Sequence, residues 1–412
     1  MDLKNIWIIN EYAGSPYHGM EFRHFYLSKE LQKLGYNVVI ISASHSHLFK
    51  KLPNVSNTFN LQEIEGVNYL WIKVPSYPSS HSKKRVLKWF VFTFRLFSLP
   101  IKKLPKPDVI IVSPMQTMPI YPAFKWAKKW NVPLLFEVKD IWPLSIIELG
   151  GYSPKHPFIQ LLKYFEKMAI QKSDAIVSVL PNYQQYLKDE GWSKNFYYIP
   201  NGVDIDELKK IEDLNNSIKN QIPQNKFIVG YAGTIGTANA LENIIEASRL
   251  LKEHKDLLFV LVGEGDKKQE LQDLAQKYQL DNILFLPAIP KRQVQSLLSL
   301  FDVCYIGLQN KELFKYGISP NKIFDYMYAA KPILLAVNSP NNPVSLAQCG
   351  ICINDITPEN IAKAILDFYQ MPENQRKEIG SRGKEYVIKH HTFEALAKKY
   401  DELIKSIIPN KY

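Results

Sequence analysis

A chain of 412 residues, 46% apolar and 22% charged, is too long for one ordinary core and too apolar for disorder, so two folded domains are expected. Three cysteines, Cys304, Cys349 and Cys352, exclude a disulfide framework and fit no zinc-ligand spacing, and the expected compartment is the cytoplasm. A net charge of +11 calls for an anionic partner, yet no nucleic-acid module is legible, so nucleic acid is not that partner.

In chain order, residues 1–10 carry Asp2 and Lys4 before a short apolar burst, which reads as a first strand and not as a signal peptide. A polar, glycine-containing loop over 11–22 follows. Spacing predicts a helix over 25–34, ended by Gly35, and a buried strand over 38–42. Further apolar runs of strand length lie at 108–113, 134–138 and 175–180, with helical patterns at 123–130 and 157–171 between several of them. Near 199–204 the pattern stops, and 206–224 is polar and charged. It restarts with strands at 227–232, 257–262, 283–286, 302–307 and 333–337 and helices over 241–251, 269–278 and 291–299. A last amphipathic helix spans 393–408. Strand–helix alternation implies parallel strands with crossover helices, so the fold class is α/β, with two such units in sequence.

Residues 81–106 stand apart. Lys83, Lys84, Arg85, Lys88, Arg95, Lys102, Lys103 and Lys106 occur there without one acidic residue, interleaved with Trp89, Phe90, Phe92, Phe94 and Phe97. The apolar run is too short to span a bilayer and Arg95 interrupts it. The pattern suits an anionic membrane surface, where each near-surface cation contributes about 1 kcal/mol. Cys349 and Cys352 form a C-x-x-C, but Gly350, Ile351 and Ile353 around them read as the start of a buried strand and not as a redox motif.

In open α/β sheets ligands bind at the carboxyl ends of strands. Two loops there are informative. Gly233-Thr234-Ile235-Gly236 lets backbone N–H groups approach a phosphate. The stretch from Gly317 through Ser319 and Pro320 runs into a helix carrying Asn321, Lys322 and Asp325. A helix N-terminus with a lysine in its first turn suits phosphate oxygens, and an aspartate one turn on suits vicinal hydroxyls. Together they outline a nucleotide.

Four motifs carry a resemblance: Ile199-Pro-Asn-Gly-Val-Asp204, Val262-Gly-Glu-Gly265, Phe285-Leu-Pro287 and Phe324-Asp-Tyr-Met-Tyr-Ala-Ala-Lys-Pro332. In this order the chain resembles glycosyltransferase family 4 over nearly its whole length. Ser319-Pro-Asn-Lys322 with Asp325, and Glu137-Val-Lys-Asp-Ile-Trp-Pro143 followed by Glu148-Leu-Gly150, resemble the branch of bacterial L-N-acetylfucosamine transferases of O-antigen and capsule assembly.

The resemblance implies the GT-B fold, two facing Rossmann-like domains. An acceptor domain would span 1–204 and a nucleotide-sugar domain 205–392, with a helix at 393–412 crossing back to the first. It implies a retaining, metal-independent transferase without a cofactor. The donor would be a nucleotide diphosphate sugar, UDP-linked, with an N-acetylated amino or deoxyamino sugar. The acceptor would be a polyprenyl-diphosphate-linked saccharide, reached by a peripheral protein at the inner membrane face. Alternatives are a GT-B sugar-nucleotide epimerase and an inactive scaffold of a polysaccharide assembly complex.

Site residues follow residue by residue. Many members of the family have Glu-x7-Glu; Asp325 holds the second place and Gly317 the first, so one carboxylate is absent. Lys322 is the substitute cation for the diphosphate, with Gly233, Thr234, Gly236, Gly265, Leu286, Ser319 and Asn321 around the donor. Lys139 and Asp140 stand where many members have His-Asp, and are expected to orient donor sugar and acceptor hydroxyl. Gly19 is expected to permit close approach in the N-terminal loop, and Arg23 to reach a phosphate. His18 and His24 are expected on a loop and a helix surface.

Overall fold

A computed structural model describes residues 4–19, 22–78 and 82–408. The chain divides into two units, one holding the chain up to Pro200 together with the chain from Phe393, the other Asn201–Thr392.

In the first unit the strands are β1 (Lys4–Ile9), β2 (Tyr36–Ala43), β3 (Phe59–Ile64), β4 (Val67–Ile72), β5 (Val109–Val112), β6 (Leu134–Val138), β7 (Ala175–Ser178) and β8 (Phe196–Tyr198). They form one sheet in the order β3-β4-β2-β1-β5-β6-β7-β8. All pairs are parallel except β3 with β4. That hairpin was not expected from the sequence. Its two-residue turn puts Glu65 at φ 48° and Gly66 at φ 82°, the left-handed pair that matches strand twist. The helix Arg23–Lys33 covers one face of the sheet, and the helix Phe393–Ile407 lies on it. Tyr26 and Phe393 stack at 5.3 Å, and the Tyr36 hydroxyl donates to Asp401 at 2.7 Å.

The second unit holds β9 (Phe227–Ala232), β10 (Leu257–Val262), β11 (Ile283–Leu286), β12 (Val303–Gly307), β13 (Ile333–Ala336) and β14 (Gly350–Ile353), ordered β11-β10-β9-β12-β13-β14 and parallel throughout. Every residue of β10 is buried, as a strand covered by helices on both faces requires. The sequence places the boundary after 204, whereas the units divide after Pro200. Asn201 and Val203 already belong to the second unit: the Val203 N–H donates to the His391 carbonyl at 2.8 Å.

Strand order reverses at β1/β5 in the first sheet and at β9/β12 in the second. Loops leaving the carboxyl ends of such neighbours part in opposite directions and leave a crevice. The loops after β1 and β5, and those after β9 and β12, are therefore where each unit can hold a ligand.

Candidate active site

In the second unit, the helix Asn321–Tyr328 starts beside the turn that follows β9. Pro320 stands at its N-cap and no side chain caps it, so its first N–H groups face outward without a side-chain acceptor. Lys322 folds back from the first turn. Its ammonium donates to the Tyr231 hydroxyl at 2.6 Å and to Asn239 Oδ1 at 2.8 Å, and lies 4.3 Å from the centre of the Tyr231 ring. Tyr231 passes the bond on, donating to the Thr234 carbonyl at 2.5 Å. Burial pushes Lys322 down to about 7, and no carboxylate among the described residues opposes it. A buried cation supported only by neutral groups is short of a counter-ion.

The Gly233–Gly236 turn completes this place. A Cβ on Gly233 would stand 3.1 Å from Lys322 Cε, so glycine makes room for the lysine. The sequence expects this turn to offer N–H groups broadly, but Gly233 donates to the Val262 carbonyl and Ile235 to that of Glu264. Those two are spent. The Thr234 and Gly236 N–H groups have no protein acceptor among the described residues, and can receive anionic oxygens. Asp325 lies one turn beyond Lys322, mostly buried, with Lys291 Nζ donating to Oδ2 at 2.5 Å. Ser319 is fixed by Asn201, whose N–H donates to its hydroxyl at 3.3 Å and whose amide donates to its carbonyl at 2.9 Å. Asn201 thus explains its motif: it holds the approach to the helix. Asn321 is exposed at the helix start. Gly317 has φ 115°, a left-handed conformation that a glutamate would adopt only with strain.

Two other predicted donor residues serve the scaffold. A Cβ on Gly265 would stand 2.1 Å from the Ile235 carbonyl, so this glycine lets two loops touch. The Leu286 side chain is 1% exposed, and its carbonyl accepts from Gly263 N–H and from Lys268, both at 3.2 Å. It is a core residue. A Cβ on Gly236 would stand 3.1 Å from the Asp266 carboxylate, so glycine leaves that side chain its room.

In the first unit, Lys139 and Asp140 follow β6, the one half-buried and the other exposed. Gly19 has φ 90°, and a Cβ there would meet Lys50 at 3.1 Å; its close approach is to its own chain. Met20 and Glu21 of the same loop lie outside the described residues. Arg23 does not reach outward. It is buried, bonded to Glu137 at 2.8 Å and to the carbonyls of Ile199 and Pro200. Glu137 also accepts from the hydroxyl of Tyr400 and contacts His24 Nε2 at 2.7 Å. Burial raises the Glu137 carboxyl, but Arg23 and His24 outweigh it and hold it well below the usual range. Arg23 and His24 are therefore parts of a structural network, Arg23 as the paired ion and His24, whose pKa burial lowers despite Glu137, as a hydrogen-bond partner, and His24 is not on a surface. His18 is buried too, its Nδ1 2.9 Å from the Ser15 hydroxyl, and burial pushes it down to about 4.

The basic segment needs the same correction. Arg85 and Lys88 turn inward: Lys88 is fully buried 3.5 Å from Glu11, and Arg85 donates to the Tyr12 hydroxyl at 3.0 Å. His81 lies outside the described residues. Cys349 is buried and its thiol is pushed up to about 12, which suits a strand neighbour and not a redox centre. The sequence reading missed Tyr231, Asn239 and Lys291. Tyr231 had a faint signal, as a hydroxyl-bearing residue at the end of a buried strand; Asn239 and Lys291 had none.

Comparison with known proteins covers both units in order. The profile of Glycosyltransferase Family 4 matches residues 17–207, and that of Glycosyl transferases group 1 matches 212–386. WcaI of Escherichia coli K12, named as a colanic acid biosynthesis glycosyl transferase, is 26% identical over 288 residues, covering 67% of this chain and 70% of its own. Among solved structures, a sucrose-phosphate synthase from Thermosynechococcus elongatus superposes with a TM-score of 0.73 at 15% identity, over 98% of both chains. HepE of Anabaena, solved with UDP and glucose, gives 0.67 at 13% identity over 98% of this chain and 100% of its own. The parallel-sheet α/β units are thus those of GT-B enzymes.

Proposed function

Since this chain is a family 4 glycosyltransferase whose second half is a group 1 domain, we propose that it transfers a sugar from a UDP-linked donor, with retention, to a lipid-linked saccharide. The sugar is an N-acetylated amino or deoxyamino sugar, and the acceptor a polyprenyl-diphosphate saccharide of O-antigen or capsule assembly at the inner membrane face. Lys322 carries the reading: a buried ammonium without a counter-ion, beside an uncapped helix N-terminus and two unused N–H groups. A diphosphate supplies what this place lacks. The solved UDP complex of HepE and the name of WcaI support the donor class and the pathway class.

The chemistry follows from the charges. As the bond between the sugar carbon and the phosphate oxygen breaks, negative charge grows on the leaving phosphate, and fixed cations and N–H donors lower that barrier. Lys322, the helix N-terminus and the Thr234 and Gly236 N–H groups act there. Asp325 accepts from the ribose hydroxyls, with Lys291 sharing or leaving its carboxylate. The acceptor oxygen bonds the same face of the carbon, and its proton passes to the leaving phosphate oxygen, so no separate base is needed. Lys139 and Asp140 orient donor sugar and acceptor hydroxyl. With Lys322 as the counter-charge, the reaction requires no metal.

Turnover with a panel of UDP- and GDP-sugars, in EDTA, on a short-chain water-soluble acceptor tests this reading. UDP release that requires acceptor, and a product whose anomeric configuration matches the donor, are expected. Activity abolished by chelation overturns the metal-free mechanism. Free sugar and UDP formed without acceptor would point instead to the epimerase chemistry.

A further inference from the structure

The helix Lys84–Arg95 and the turn Leu96–Ser98 after it have two apolar faces, and only one is in the core. Trp89, Phe92 and Leu96 are buried. Leu87, Phe90, Phe94 and Phe97, three, four and three residues apart, are 53%, 44%, 75% and 41% exposed. Exposed phenylalanines in a helical stripe are uncommon on a surface that meets only water. Before and after the stripe in the chain come Lys83, Lys84, Lys102, Lys103 and Lys106, all exposed, and no acidic residue occurs from 82 to 107. An apolar stripe flanked in sequence by one sign of charge matches an anionic bilayer: acyl chains take the rings and headgroup phosphates take the lysines. No helix of the described residues is long and apolar enough to cross a membrane.

The inner face says where such a bilayer would lie. Arg85 donates to Tyr12 at 3.0 Å and contacts Met115 Sδ at 3.1 Å; Lys88 donates to the Glu11 carbonyl at 3.4 Å, and Trp89 Nε1 to the Tyr12 hydroxyl at 2.9 Å. Glu11 and Tyr12 belong to the loop after β1, and Met115 to that after β5, the two loops that part at the reversal of strand order. The helix is therefore bolted to the ligand-holding edge of the first unit.

We propose that the outer face of this helix is a bilayer-docking surface. Leu87, Phe90, Phe94 and Phe97 enter the boundary between headgroups and acyl chains, and Lys83, Lys84, Lys102 and Lys103 bind the headgroup phosphates. Arg85 and Lys88 take no part in lipid contact; they tie the seated helix to the loops after β1 and β5. A lipid-borne acceptor then meets that edge where its isoprenoid enters the membrane. The inference rests on the lipid-linked acceptor proposed above, but its test does not.

Flotation of the full chain with phosphatidylcholine vesicles, with and without phosphatidylglycerol, needs no acceptor and no donor. Wild type should float with the anionic vesicles and be released by high salt. Lys83, Lys84, Lys102 and Lys103→Glu should weaken that binding by about a hundredfold or more, at roughly one near-surface cation's worth each. Phe90→Ser with Phe94→Ser should weaken it about tenfold and leave the salt dependence intact. Both variants change exposed side chains only, so turnover on the water-soluble acceptor should stay at the wild-type level, while turnover on acceptor embedded in anionic vesicles should fall with binding. Wild-type flotation by either variant overturns the proposal. A concentration-dependent dimer in vesicle-free buffer, abolished by the serine variant with flotation unchanged, overturns it in favour of a second copy on the stripe. Inactivity of the wild type on every soluble acceptor, with flotation as expected, would count against the proposed reaction and leave the docking surface standing.

Discussion

Two buried charges mark the two units, and they are treated in opposite ways. Glu137 is surrounded by Arg23, His24 and Tyr400, so both carboxylate oxygens have a partner and the carboxylate stays ionised. Lys322 is surrounded by a phenol and an amide, and burial alone brings it close to losing its proton. A charge with full compensation holds a fold together and has nothing left to offer a ligand. One without a counter-ion costs stability, and a fold tolerates that where an anion later arrives. The contrast also explains why Arg23 failed as a phosphate binder: its guanidinium was already committed, within the fold, to a carboxylate 114 positions away.

The sharpest break is at Glu137. Glu137→Ala leaves Arg23 buried without its carboxylate and should cost on the order of 3–5 kcal/mol, a melting temperature lower by roughly 10 °C in calorimetry. Because the fold depresses this carboxyl, its contribution is complete above the ordinary value of 4.5 and is lost as pH falls below it. An unfolding curve indifferent to the substitution would place the network outside the stability of the first unit.

Lys322→Ala should leave the fold intact and lower turnover by about a hundred- to a thousandfold, with a smaller change in KM, since the charge matters most as phosphate leaves. A change confined to KM would make Lys322 a ground-state anchor only. Asp325→Ala should weaken donor binding about ten- to a hundredfold, measured by calorimetry, the size of one charged hydrogen bond lost. Unchanged affinity would show that Lys291 alone occupies that carboxylate.

The smallest effect concerns protons. Below about pH 7 Lys322 carries its charge before donor arrives; above it, the amine must take up a proton to meet the diphosphate. Donor affinity should therefore fall as pH rises above 7, by no more than about tenfold per pH unit. Calorimetry at pH 8 in buffers of different ionisation heat should register the uptake, and Lys322→Arg should abolish it.

Much of this architecture could be read before any coordinates. Buried parallel strands announce themselves as apolar runs, which is why β9, β10 and β11 fall where the pattern puts them. Lys322 was legible because a loop, a proline and a helix start are local features. The β3–β4 hairpin was not, since Phe59–Ile64 mixes polar and apolar residues on a largely exposed strand; only Glu65-Gly66 hinted at the turn. In Lys84–Arg95 both faces are apolar, so periodicity shows a helix but cannot say which stripe is buried or that Lys88 points inward. Partners such as Tyr231, Asn239 and Lys291 lie tens of residues from what they touch. Contacts of that kind belong to topology.

Gly317 sets a limit on how this site could change. Its backbone sits at φ 115°, in a region where any side chain is strained, and the Ser319–Asn201 bonds hold the loop beyond it. A single codon change to glutamate would therefore bring a carboxylate together with a distorted loop, and the distortion would pass straight to the helix that starts at Asn321. At this end of the loop the charge that faces the turn after β9 is therefore the ammonium of Lys322, set by the helix start and not by the loop backbone.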